Sequence, residues 1–192
     1  MKIISQKQIR ELNISPASCV EWVKESFSLK KAAQLPAKIS LHPQGNDFFN
    51  TMPCLLPTPY NYYAVKVVHR VKGATPALGS DLLLYNSQNG ELLAMVDADW
   101  ITTMRTGAVA TLAIQTLRKS GSNTYGFLGL GNTRYYWWKI RGRVSDKERI
   151  LSYNIGLGLH DIVYASKIYE ILKDNAIEIK IEHETEKFWI ET

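Results

Sequence analysis

The stretch from Asp81 to Asp97 constrains the fold of this chain more than any other. Ser87-Gln88-Asn89-Gly90 is the strongest hairpin signal in the sequence, and it joins the arms Asp81–Asn86 and Glu91–Asp97. An Asn-Gly pair suits the left-handed backbone of a tight turn between antiparallel strands. Both arms, LLLY and LLAMV, are apolar at successive positions, and successive strand residues point to opposite faces. A hairpin without a wet face has to be covered on both sides, by helices or by another subunit's sheet. The sequence therefore predicts a sheet packed against helices and favours an oligomer.

Length and composition set the scale of that sheet. The chain has 192 residues, enough for one sizeable domain or a domain with a fragment of another. With 45% hydrophobic and 21% charged residues it belongs among folded globular chains rather than disordered ones. No apolar run reaches the ~18 residues of a membrane span. Met1-Lys2-Ile3-Ile4 gives way at once to Ser5-Gln6-Lys7-Gln8, so no signal-peptide core forms and the expected compartment is the cytoplasm. Two cysteines and four dispersed histidines make neither a disulfide framework nor a metal cluster. The net charge of +5 is concentrated between Arg134 and Arg149, where six basic residues meet only Asp146 and Glu148. That segment also holds Tyr135-Tyr136-Trp137-Trp138, and basics interleaved with aromatics can stack single strands. The groove or sheet signatures of such binders are missing, so nucleic acid is not the expected partner.

Local patterns place the remaining elements. Ser15-Pro16 followed by Val20, Val23 and Phe27 reads as an N-cap, a first-turn proline and an apolar stripe, a helix over about 15–33. Lys38 to His42 alternates as a short strand. A loop rich in Pro and Asn over 43–59 then forms a candidate site wall before a longer strand from Tyr62 to Val71. Thr102 or Thr103 caps a helix to about Lys119 whose inner residues, Gly107, Ala108, Ala110, Thr111 and Ala113, permit close packing. Tyr125 to Leu128 reads as a buried strand entering a glycine turn, Ser145 to Glu148 has the form of a capping box, and His160 to Leu172 is helical. Ile177, Ile179 and Ile181 alternate with charged residues as a strand with one solvated face.

Three features point to chemistry. Lys66 shares a strand face with Ala64 and Val68, so its ammonium either finds an anion or snorkels past the edge beside Arg70. Arg105, placed in the first turn of its helix, stands where the dipole favours negative charge. An anion held there explains it, as does pairing with Asp97 or Asp99. Gly129-Leu130-Gly131 after an apolar strand opens a dinucleotide fingerprint, but Arg134 stands where the third small residue belongs. By itself this motif is weak. Asp146 follows at a distance that suits a ribose-binding acid, yet a capping role fits it better.

Several segments, in order along nearly the whole chain, resemble the ornithine cyclodeaminase and mu-crystallin family: AKISLHP, FNTMP, YAVKVV, NGELLAMVDADWITTMRTGA, YGFLGLGNT and GRVSDKERILSYNIGLGLHDIVYASKIYEIL. The resemblance implies an α+β fold. A mainly antiparallel substrate and dimerisation domain, built from both ends of the chain and flanked by helices, receives an inserted Rossmann domain for NAD(H). On this chain it assigns 1–121 and 144–192 to the substrate domain and 122–143 to a Rossmann remnant. It implies that Lys38, Met52, Lys66, Arg105 and Ile155 bind a small amino-acid or keto-acid substrate, Lys38 replacing an arginine. Asn50 stands at a position that is often acidic in the family. Ala77, Arg105, Gly129, Gly131, Asn132, Thr133 and Asn154 match cofactor positions, Ala77 replacing a hydroxyl residue. A homodimer is implied, and no membrane or metal.

The departure from the family lies at Thr133 to Tyr135, which are nearly contiguous here. In the family roughly 100 to 150 residues, a domain's length, separate the matching stretches. With them go most of the cofactor sheet and the aspartate that serves as general acid and base, so no catalytic residue is assigned. The family reaction, NAD-dependent conversion of L-ornithine to L-proline and ammonia or a related amino-acid or ketimine oxidoreduction, needs a cofactor and a base within reach. The expectation is therefore a deleted form lacking full activity. The alternative is a non-catalytic module that binds a small amino acid or only dimerises.

Overall fold

The computed structural model describes residues 1–117 and 156–180. The expected strand at Tyr125, the glycine turn, the Rossmann remnant, the capping-box pattern at Ser145 and Ile181 lie outside the described residues. The elements run β1 (Lys2–Ile4), α1 (Gln6–Glu11), α2 (Pro16–Leu29), β2 (Ile39–Leu41), β3 (Phe48–Leu55), β4 (Tyr62–Arg70), β5 (Leu78–Asn86), β6 (Leu92–Asp97), α3 (Asp99–Leu117), α4 (Gly158–Leu172) and β7 (Ile177–Glu178). Seven strands form one mixed sheet in the order β2-β3-β4-β5-β6-β1-β7. Every pairing is antiparallel except β1 with β6. The fold is α+β, with a mainly antiparallel sheet and helices, as the sequence leads one to expect.

The hairpin of β5 and β6 stands at the centre of this sheet, with Leu84 opposite Ala94 and Leu82 opposite Val96. These four side chains are buried with Ile4, Ala64, Ile101, Met104, Ile162 and Val163 in one core between the sheet and the helices. Gly107, Ala108, Ala110 and Thr111 are buried on α3. Their small side chains allow the helix to pack closely against its neighbours, and α3 contacts both α2 and α4. Helix α4 is buried at every position from Gly158 to Ser166, the pattern of a helix packed all round. It lies against β3, β4 and β5 on one side and α2 and α3 on the other.

Among the described residues only one face of the hairpin is covered. Across the other face Ile3 adjoins Met95 and Ile177, Met95 adjoins Leu83, and Leu83 adjoins Val65. Ile39, Leu41 and Ile177 are 59%, 65% and 67% exposed, and Phe49 and Met95 are exposed as well. Ile177 was expected to face inward. It instead extends this open apolar face, and the last strand is confined to Ile177–Glu178.

Other differences have local causes. The segment 43–59, expected to be a loop, contains the eight-residue strand β3, whose alternate residues Asn50, Met52 and Cys54 are buried. Pro53 is tolerated there because of where its missing N–H would point. Two residues on, Leu55 donates its N–H to Gln34 on the β2 side of β3. Pro53 faces the same way, beyond the last β2 partner at Thr51, so no ladder bond is lost. Helix α2 follows its Ser15 cap and first-turn proline but ends at Leu29. Residues 2–11, not predicted as structure, form β1 and α1, the helix held by a capping box between Ser5 and Gln8. Helix α3 begins at Asp99, whose N–H bonds the Asp97 carboxylate, and Thr102 lies within it with its hydroxyl on the Ala98 carbonyl. Because Leu84 is fully buried at the centre of the sheet, Leu84→Ala should destabilise the chain by about 2–5 kcal/mol, read as the midpoint shift in urea unfolding at unchanged slope.

Candidate functional site: a shared carboxylate between two buried cations

The covered face of the sheet carries a row with a buried cation in it. Met52 on β3 is opposite Lys66 on β4, and Lys66 is opposite Leu82 on β5. Lys66 is 1% exposed, so its ammonium cannot reach water. Arg105 comes to the same place from α3 and is 6% exposed. Between them stands Asp161 of α4, fully buried. Its Oδ1 accepts from Lys66 Nζ at 2.7 Å and from Arg105 Nε at 3.0 Å. Its Oδ2 has no hydrogen-bond partner among the described residues.

The sequence folds this way locally because α4 is buried all round, so any charge on it needs a partner from a facing element. The start of α4 sits directly on the strand that bears Met52. A Cβ at Gly158 would come 3.3 Å from the Met52 carbonyl oxygen. Helix α3 is fixed to the sheet by Ser80, whose hydroxyl bonds Asp99 Oδ1 at 3.0 Å and Thr102 Oγ1 at 2.7 Å. Arg105 thus stands in the second turn of α3, not the first. The helix terminus does not explain it, and neither do Asp97 and Asp99. Its partner is Asp161.

Burial, the largest influence, and the like charge of Arg105 together lower the Lys66 ammonium to about 8 against the upward pull of Asp161. Burial pushes the Asp161 carboxyl up, but the charges of Arg105 and Lys66 outweigh it and hold the group below the ordinary carboxylate range. Asp161 is therefore a fixed anion at neutral pH, whereas Lys66 can hold or release a proton near it. Among the described residues the two buried cations share one buried carboxylate, with Asp99 acting on Lys66 from the start of α3, which leaves a surplus of buried positive charge in a place with little water.

The residue before Asp161 completes the picture. Ser26 donates its hydroxyl to the Val23 carbonyl and contacts His160 Nδ1, so Nδ1 carries the ring proton and donates to Ser26. His160 Nε2 has no partner among the described residues. Burial lowers the imidazole to about 4.

Of the residues that the sequence pointed to, the structure brings Met52, Lys66 and Arg105 together. Lys38 is exposed and directly precedes β2, at the register position beside Met52. Ala77 is exposed in the connection before β5, roughly 17 Å of strand from the Lys66 row. Asn50 is buried beside Ser40, whose hydroxyl it accepts. Ile155, Gly129, Gly131, Asn132, Thr133 and Asn154 lie outside the described residues. Asp161 was not singled out. Its signal was a carboxylate between Leu159 and Ile162 on an apolar helix, a position tenable only with a buried cation. Among the described residues no group of three or more His, Cys, Asp and Glu could hold a metal, and no helix is long and apolar enough to cross a membrane.

Residues 1–140 match the ornithine cyclodeaminase/mu-crystallin family. The chain belongs to this family. It is 29% identical over 159 residues to an alanine dehydrogenase of Archaeoglobus fulgidus, a match covering 80% of this chain and 48% of that protein. The chain spans about half the length of curated relatives that it matches. Among solved structures it resembles the Thermococcus litoralis Delta(1)-pyrroline-2-carboxylate reductase in complex with NADH and L-proline, at 28% identity and TM-score 0.58, over 64% of this chain and 40% of that one. An archaeal alanine dehydrogenase dimer with bound NAD has the same fold at TM-score 0.63 and 22% identity, over 95% of this chain and 56% of that one. The family thus includes NAD-dependent oxidoreductases and cyclodeaminases.

Both buried groups on α4 make the fold sensitive to acid. His160 is held neutral, with a folded value of about 4 against an unfolded value near 6.5, so the unfolded chain binds the extra proton between them. Stability should be full above about pH 6.5 and fall by about 3 kcal/mol as pH drops to 4, and Asp161, held low, adds to the loss in the same direction. Urea unfolding at a series of pH values checks this, with His160→Gln expected to remove much of the slope between pH 6.5 and 4.

Proposed function

We propose that this chain binds the carboxylate of a small amino or keto acid at Lys66 and Arg105, with Met52 and Lys38 beside it, and that its ancestral reaction is an NAD-linked oxidoreduction of such acids. The observation that carries this is the surplus positive charge left when two buried cations share Asp161, because a monoanion is what such a site lacks. The relatives support the class of ligand, since their names refer to alanine, pyrroline-2-carboxylate and proline.

The cofactor fits less well. Of the positions matched to NAD(H), Ala77 is exposed on a loop away from Lys66, and Gly129, Gly131, Asn132, Thr133 and Asn154 lie outside the described residues. The described residues hold no glycine turn for a diphosphate. They do not by themselves fit the cofactor. Asp161 is also a poor substitute for a general base, because both its partners stabilise the charged form. We therefore favour binding with little turnover. In this proposal 1–121 and 144–192 make up the substrate domain and 122–143 the Rossmann remnant.

Calorimetric titration with pyruvate, L-alanine, L-proline and L-ornithine should find at least one ligand among them. Lys66→Met should weaken it by about 1.5–3 kcal/mol, roughly 10- to 100-fold. The ammonium is the binding form, so affinity should be full below pH 8 and decline as pH rises through about 8. Product formation with NAD(H) should stay at the level of a Lys66→Ala control, and turnover well above that control would refute the non-catalytic reading.

The same proposal includes a homodimer through the open sheet face. Ile3, Val65, Leu83, Met95 and Ile177 lie in one row across it, and a second copy would remove them from water. Light scattering should give twice the chain mass of 21.8 kDa. Met95→Glu, at the middle of the row, should return the mass to that of the monomer without loss of helical signal.

A further inference from the structure

Gly156 lies two residues before α4, and an ideal Cβ built on it would fall 1.8 Å from Arg105 Nη1 and 2.2 Å from both Cζ and Nη2. These three atoms are the whole end of the guanidinium. The arginine therefore occupies the volume that a side chain at position 156 would take. It has little freedom to give way, because Nε is held on Asp161 Oδ1 at 3.0 Å and the residue is 6% exposed. Swinging aside would separate a buried cation from its counter-ion. The φ of Gly156 lies outside the left-handed region, so alanine would meet no backbone strain there and its effect would be steric.

We propose that Gly156 is a positioning residue for the anion site: its bare backbone is the floor on which the Arg105 guanidinium lies, Nε on Asp161 and the terminal Nη groups kept for a ligand carboxylate. The ligand part of this rests on the binding reading given above. The positioning part rests only on the contact between Gly156 and Arg105. Three charged groups face Lys66, namely Asp161 from α4, Arg105 from α3 and Asp99 from the start of α3. Arg105 is the one that lowers its ammonium by like charge. Displacing the guanidinium should therefore shift the pH at which Lys66 loses its proton, which a packing defect remote from Lys66 would not do.

The test compares four full-length chains, the wild type, Gly156→Ala, Arg105→Ala and the double variant, by calorimetric titration with pyruvate across pH 6.5–9.5 and by thermal unfolding. Gly156→Ala should weaken pyruvate about tenfold or more and raise the pH midpoint of binding above that of the wild type. In the Arg105→Ala background, where the guanidinium is gone, the same substitution should change neither affinity nor Tm. Should Gly156→Ala alone fail to fold, the double variant should still unfold at the Tm of Arg105→Ala. Equal losses of Tm in both backgrounds, or unchanged affinity and pH midpoint in Gly156→Ala, would overturn the proposal. If the wild type binds none of pyruvate, L-alanine, L-proline and L-ornithine while the Tm loss depends on Arg105, the positioning stands and the ligand reading falls.

Discussion

The bonds from Lys66 and Arg105 to one oxygen of Asp161 are the constraint on which the rest of this structure depends. They join β4, α3 and α4, three elements from distant parts of the chain, at a point where none of the three groups meets water. A charge on a helix buried all round is tenable only when the facing elements supply its opposite. The remaining architecture follows this demand. Small residues on α3 bring Arg105 close, Gly158 lets α4 settle on the strand of Met52, and Gly156 leaves room for the guanidinium.

The two faces of the sheet divide the labour of the molecule. One is closed by helices and holds both the apolar core and the charged row through Lys66. The other is open among the described residues and apolar along the row from Val65 to Ile177. The chain carries the cationic pair on the closed face and the apolar surface on the other. The two features are independent in the sheet because alternate residues of each strand serve opposite faces.

Much of the fold was legible because local physics sets it. The Asn-Gly turn and its apolar arms mark the central hairpin, Ser15-Pro16 marks the start of α2, and the small residues after Arg105 mark a closely packed helix. Strand β3 was misread because Pro53 normally signals a loop. Its tolerance depends on β2 stopping at Thr51, which is a fact about a neighbour. Residues 2–11 were passed over because a three-residue strand gains its stability from β6 rather than from its own pattern. The start of α3 was placed late because Thr102 has the chemistry of a cap but lies within the helix with its hydroxyl on Ala98 and Ser80.

The sequence by itself determined that Lys66, on a strand face shared with Ala64 and Val68, needs either an anion or a route to water, because burial of a charge is costly wherever it occurs. It pointed to Arg105 through a first-turn position that the helix does not give it. Only the tertiary structure decided what pairs with the two cations. Asp161 is 95 residues from Lys66 and 56 from Arg105, and hydrogen bonds at 2.7 and 3.0 Å depend on where strands and helices pack, not on the spacing of residues along a chain.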